Sequence, residues 1–236
     1  MVTFASYSDR GGRDYNEDTV CLRQADGENL CAVLADGLGG HGGGDLASQK
    51  AAQVITGGWT SGATPDRLIH LTQEANAQIL AMQTPLCRMK TTVVVLSVSP
   101  ERIAYAYAGD SRLYHFAEGK LRWQSRDHSA SQIAVFLGQI RPEEIRFHAD
   151  RSRIFRALGQ EDSPGAEGGV LERAPARNAF LLCSDGFWEY VLEAEMEQAL
   201  REAATPESWL IAMRRLLENR VPPDNDNNSA IAVWEE

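Results

Sequence analysis

The chain has no run of lysine and arginine, and its 33 acidic residues against 23 basic ones leave a formal charge of −10. Nothing in it can replace the counterions around a phosphate backbone, which excludes nucleic acid as a partner. It also lacks any uncharged apolar run long enough to cross a bilayer, and the opening MVTFASYSDRGG has no basic segment followed by an apolar one. No membrane contact and no secretory leader are expected, and a cytoplasmic location is the default. The four cysteines (Cys21, Cys31, Cys87, Cys183) include no CxxC pair. They read as buried thiols rather than disulfides or zinc ligands. No Gly/Ser/Pro-rich linker, internal repeat or low-complexity tract divides the chain, so one domain over 1–236 is expected.

What is present is a folded composition, 43% hydrophobic and 24% charged. Short strand-like runs rich in Val, Ile, Tyr and small residues occur at TFASYS, TVCLRQ, LCAVLA, TTVVVLSV, RIAYAYA, RLYHF, LRWQ, AFLLCS and AIAVW. Helical patterns fall between some of them. The first is DLASQKAAQVI. The second begins at TPDRLIHL, where Thr64 can cap and Pro65 suits the first helical position, followed by Leu68, Leu71, Ala75, Ile79 and Met82 at helical spacing. TPESWLIAMRRLLENR repeats that opening at Thr205 and Pro206, with Trp209, Leu210, Met213, Leu216 and Leu217 as its stripe. Strands in succession with helices grouped between them predict an α+β fold of antiparallel sheets covered by helices.

One stretch stands apart. VLADGLGGHGGGD (Val33 to Asp45) places six glycines within eight residues after an apolar strand. Gly37, Gly39 and Gly42 satisfy GxGxxG, but Asp36 would face a pyrophosphate, and TGGWTSGATPD stands where a second strand should carry the ribose-binding acid. A dinucleotide site is set aside, and no Gly-Lys-Ser/Thr follows to make a P-loop. A different pattern recurs. LCAVLAD, RIAYAYAGD and AFLLCSD each end an apolar strand on an aspartate (Asp36, Asp110, Asp185) followed by a small residue. Glu17 and Asp18 precede another strand, and Asp226 precedes the last. Carboxylates meeting at one place repel, and hard divalent cations such as Mg²⁺ or Mn²⁺ neutralise them with oxygen ligands.

RDYNED, ADGLGGHGGGD, TTVVVL, AYAGDSRLY, RDHS, FRALG, LLCSDGFWEYV and DNNSAIAV follow one another in an order that resembles the bacterial PPM family, the metal-dependent serine/threonine protein phosphatases of the protein phosphatase 2C type. The resemblance implies a four-layer α/β/β/α sandwich of two antiparallel sheets flanked by helices. It implies that Asp36 bridges two metals, Mn²⁺ or Mg²⁺, with Glu17 and the Gly37 carbonyl completing one and Asp185 with Asp226 holding the other. Asp110 matches a possible third metal position that Asp185 also reaches, and Asp18 holds metal-bound water. Arg13 matches the arginine that grips substrate phosphate, and its planar fork suits that task. Phosphoserine or phosphothreonine would be hydrolysed by a metal-bridging hydroxide, with His41 donating a proton to the leaving oxygen. His128 and Arg112 read as structural. Residues 129–154 match the family's flap. Lys90 stands where the family has glycine before the paired threonines, Thr91 and Thr92, and Asp224 competes with Asp226 as the last metal acid. The partners implied are phosphorylated proteins, including a cognate Ser/Thr kinase and its targets, met by a monomer. The alternative is a pseudophosphatase, the same fold used as a binding module, and it calls for loss of a metal acid.

Overall fold

Residues 1–39, 42–161 and 163–236 are described by a computed structural model. Two five-stranded antiparallel sheets form the middle of the molecule. One runs in the order β1 (Val2–Asp9), β10 (Asn228–Glu235), β9 (Asn178–Cys183), β6 (Arg112–Ala117), β7 (Lys120–Gln124). The other runs β2 (Asp18–Gln24), β3 (Leu30–Asp36), β4 (Val93–Val98), β5 (Ile103–Ala108), β8 (Glu167–Leu171). Helices α1 (Gly44–Gly58) and α2 (Pro65–Met82) cover the second sheet, while α4 (Asp185–Trp188), α5 (Glu193–Glu202) and α6 (Pro206–Glu218) cover the first. The four-layer sandwich is the expected one. Among the described residues no helix is long and apolar enough to cross a membrane.

The central strands β3, β4, β9 and β10 read as nearly unbroken apolar runs because both faces are buried. In β3, Cys31, Val33 and Ala35 pack under α1 and α2, and Leu30, Ala32 and Leu34 face the other sheet across Phe180, Leu182, Ile231 and Val233. On the outer side of the first sheet, Trp209 meets the edge of Phe116 at 5.4 Å, and Leu210, Met213 and Leu217 fill the same layer. Each such side chain contributes roughly 1.5–3 kcal/mol when buried. Thr64 and Thr205 cap their helices by accepting the Arg67 and Ser208 amides. Leu216 lies at the stripe's margin, half-buried.

Three elements escape the sequence patterns. The edge strand β8 reads EGGVL because an added Cβ on Gly168 would stand 2.8 Å from the Tyr105 carbonyl. Helix α5 is acid-rich and buries only Met196, Ala199 and Leu200. The segment 129–154 contains α3 (Ala130–Phe136), capped by Ser129, and a 3-10 turn at Pro142–Phe147. Cys31 and Cys183 are buried, whereas Cys21 and Cys87 are only half-buried, and all four are free.

Candidate active site

All the strand-end acids lie at one end of the sandwich. Antiparallel pairing sets Asp18, the first residue of β2, opposite Asp36, the last of β3. Asp110 stands in the turn from β5 to β6, Asp185 opens α4 directly after β9, and Asp226 comes just before β10. A cleft of about 570 Å³ results, lined by Arg13, Glu17, Asp36, Gly37, Asp110, Asp185 and Asp226 among others. Ser152 and Ile154 reach it from the end of the 129–154 segment, which a bridge from Ser129 to Ile154 ties at its base. Asp224 lines only a side pocket, so Asp226 is the acid of the main cleft. His41 lies outside the described residues.

The glycines allow a backbone to wrap a carboxylate. An added Cβ on Gly39 would collide with Glu17 Oε2, and one on Gly44 would stand 2.7 Å from Glu17 Oε1 and 2.8 Å from the Gly37 carbonyl carbon. Any side chain there would displace Glu17. The paired threonines hold the other wall. Thr92 N donates to the Asp36 carbonyl at 2.8 Å, Thr91 Oγ1 donates to the same carbonyl at 2.9 Å, and the Asp36 amide donates to Thr92 Oγ1 at 3.2 Å. Lys90, in place of a glycine, accepts from the Leu38 amide at 2.9 Å through its carbonyl, so the turn is kept.

Electrostatics set this cleft apart. Burial, then the charges of Asp18, Asp185, Asp110 and Asp226, holds the Asp36 carboxyl well above the usual carboxylate range. Burial and Asp185 raise Asp110 in the same way. Asp185 is pushed up to about 7 by burial and by Asp226, Glu189 and Asp18. Asp18, beneath the cleft, is pushed up to about 6, mainly by burial. One oxygen of Asp18 and one of Asp110 (Oδ1 in each) are buried without any hydrogen-bond partner. Buried carboxylate oxygens without partners, beside further acids, fit hard divalent cations and fit little else. Among the described residues no three acids close on one point, and they line the cleft as like charges do.

Structural partners surround the acids. Arg112 makes a buried two-pronged pair with Asp127, at 2.8 and 2.7 Å, and lies 3.5 Å over the Trp188 ring. The Trp188 indole N–H donates to the Asp110 carbonyl at 2.9 Å. Arg146, from the 3-10 turn, donates to the Trp188 carbonyl at 2.6 Å and pairs with Glu193. His128 Nδ1 accepts the Gly109 amide at 3.1 Å while the ring stacks on Tyr107. Arg112 and His128 are therefore structural, as expected. Trp188, Arg146 and Asn227 were not legible as parts of the site; WE after SDGF and an asparagine in a polar turn carry no signal of their own. A larger cavity of about 700 Å³ lies at the far end of the strands. Its Arg173, Arg177 and Arg201 are already paired with Glu235, Glu236 and Glu197.

A two-sheet sandwich flanked by helices, with an acid-lined cleft at one end, is the scaffold of the PPM phosphatases. Residues 7–221 match the family model for protein phosphatase 2C, and the chain belongs to that family. Serine/threonine protein phosphatase PstP of Mycobacterium tuberculosis is 32% identical over 241 residues, covering 99% of this chain and 45% of that protein. Serine/threonine phosphatase stp of Listeria innocua is 31% identical over 209 residues, covering 84% of this chain and 82% of that one. The catalytic domain of PstP, in complex with 2 manganese ions, superposes with a TM-score of 0.79 at 30% identity over 98% of this chain and 97% of that chain.

Proposed function

We propose that this chain hydrolyses phosphoserine and phosphothreonine in proteins, using divalent cations held in the acid-lined cleft. The observation that carries the reading is the convergence of Glu17, Asp36, Asp110, Asp185 and Asp226 with Arg13 in one cleft, where Asp110 Oδ1 has no partner. Glu17, Asp36 and the Gly37 carbonyl would hold one cation, Asp36, Asp185 and Asp226 a second, and Asp110 with Asp185 a third. Mn²⁺ and Mg²⁺ both suit this oxygen donor set, and the manganese complex of the related PstP domain favours the first. When bound, the cations supply an activated water and a positive field for the phosphoryl oxygens.

The chain's own residues supply the rest. Arg13 is exposed at the mouth of the cleft and paired with Asp226 Oδ2 at 2.9 Å, and in this reading its fork turns from that acid to the phosphoryl oxygens once cations neutralise Asp226. Asp18 holds its place by accepting from Ser184 Oγ at 2.8 Å, leaving its other oxygen for a cleft water. A serine or threonine alkoxide leaves poorly without a proton, and His41 is the donor assigned from the sequence. The partners in this reading are phosphoproteins, a Ser/Thr kinase and its targets among them, met in the cytoplasm. The binding-module alternative gains no support, since every acid it would have to lose lines the cleft.

The test is phosphate release from a phosphothreonine peptide across a Mn²⁺ titration, with chelator as blank and Asp36→Asn alongside. Turnover by wild type only with metal, and none by the variant, is the expected result. A folded wild type that releases no phosphate at any metal concentration overturns the enzyme reading.

A further inference from the structure

The geometry points to Asn227 as the positioning residue that assembles the two halves of the cleft. This inference rests on the divalent-cation reading above. The loop between β1 and β2 carries both Arg13 and Glu17, while Asp226 belongs to the approach to β10, more than 200 residues later. One buried side chain joins them. Asn227 Oδ1 accepts the Glu17 amide at 2.8 Å, and its Nδ2 donates to the carbonyls of Arg10 at 2.8 Å and Tyr15 at 2.9 Å. Its own backbone amide donates to Asp226 Oδ1 at 2.8 Å.

The four bonds from this one residue reach the start of the loop, its end at the Glu17 backbone, and the Asp226 carboxylate on the other side of the cleft. The sheet beside it is held separately, by Ser229 pairing with Ser8 and Ser184. The loop cannot fold any closer. An added Cβ on Gly11 would stand 2.7 Å from Asn225 Nδ2, and the Gly12 amide donates to the Asn225 carbonyl at 3.0 Å. Arg13, at the crest, reaches across to Asp226 Oδ2 at 2.9 Å. With the amide gone, the Glu17 backbone and both flanks of Arg13 lose their shared tie, and Arg13 keeps the Gly12 bond to Asn225 and its own pair with Asp226. Asn227 therefore acts through both Glu17 and Arg13: it places one wall of the cation cleft, and it ties down both ends of the loop that carries Arg13.

Asn227→Asp is the informative variant. It keeps the acceptor for the Glu17 amide and turns the donor into an oxygen facing two carbonyls. Mn²⁺ is titrated calorimetrically onto chelator-stripped protein, and peptide kinetics follow at saturating Mn²⁺. The expected result is Mn²⁺ affinity weakened about 10–100-fold, the range typical when a ligand's supporting hydrogen bonds are lost. KM should rise as well, and Arg13→Ala should add little to that rise in the variant while raising KM clearly in wild type. An unchanged Mn²⁺ isotherm, or fully additive effects of the two substitutions, overturns the inference and leaves Asn227 a loop-packing residue. If wild type itself binds no Mn²⁺, it is the cation reading that fails. One measurement needs no substitution: in wild type the Asn227 side-chain amide protons should exchange slowly and shift on addition of Mg²⁺. Fast exchange with no shift counts against the assignment.

Discussion

Replacing Asp185 by asparagine should make the cation-free protein more stable while abolishing its activity. Asp185 ionises in the folded chain only near pH 7, against 3.8 for an ordinary aspartate, because burial and the charges of Asp226, Glu189 and Asp18 oppose its negative form. Between those two values the folded state holds a proton that the unfolded chain has released, so stability falls as pH rises through that window and then levels off. At 1.36 kcal/mol per pH unit the full displacement corresponds to ~4 kcal/mol. Asp185 is half-buried and its acid neighbours can spread apart, so we expect ~2–4 kcal/mol of this to appear when the charge is removed. The Gly186 amide that faces the carboxyl can still bond the asparagine oxygen. The assay is urea unfolding in chelator at pH 8 and at pH 4, with and without Mn²⁺. The variant should exceed wild type at pH 8 and match it at pH 4, and Mn²⁺ should narrow or reverse the gap, because a cation held at 100 times its Kd adds ~2.7 kcal/mol per site to the protein that binds it. A variant no more stable than wild type at pH 8 in chelator would refute the idea that these acids are a mutually repelling set.

Two further substitutions test the supports of the site. Arg112→Met leaves Asp127 buried without its two-pronged partner, and breaking such a pair costs roughly 3–5 kcal/mol; the urea midpoint should drop accordingly, and a loss under ~1 kcal/mol would show that Asp127 finds another partner. Gly44→Ala puts a methyl 2.7 Å from Glu17 Oε1 and 2.8 Å from the Gly37 backbone. Calorimetric Mn²⁺ affinity should fall about tenfold or more, a drop typical of a disturbed ligand shell, whereas an unchanged isotherm would mean that the glycine loop does not hold Glu17.

The layers of the fold were legible because their physics is local. A strand buried on both faces must be apolar throughout, and β3, β4, β9 and β10 are fully buried up to their ends. A helix with a Thr-Pro opening announces its own start, as α2 and α6 do. The missed elements lack those signals for definite reasons. The edge strand β8 carries glycines where Tyr105 lies against it, and α5 exposes most of its surface, so acids replace the stripe that would have marked it. Nor does a short helix such as α4, four residues long, have room for a period.

The site divides along the same line. Its acids were readable because each stands at the end of an apolar strand, where a charged residue is conspicuous and where antiparallel topology brings alternate ends together. Their supports were not, because a supporting residue is defined by what it touches across the chain. Asn227 holds Glu17 over a separation of 210 residues, and Trp188 holds the Asp110 carbonyl over 78. Neither distance leaves a trace in local composition; an asparagine before a strand looks like any turn residue, and a tryptophan after DGF looks like core. Only once the strand ends are known to converge does the question arise of what holds repelling carboxylates together. That question selects residues that bond to backbone beside the acids without adding charge, and both meet it with neutral groups: Asn227 accepts the Glu17 amide, and Trp188 donates to the Asp110 carbonyl. The chemistry of such a cleft is written at the strand ends, and its geometry is written in uncharged side chains that become visible only in the folded chain.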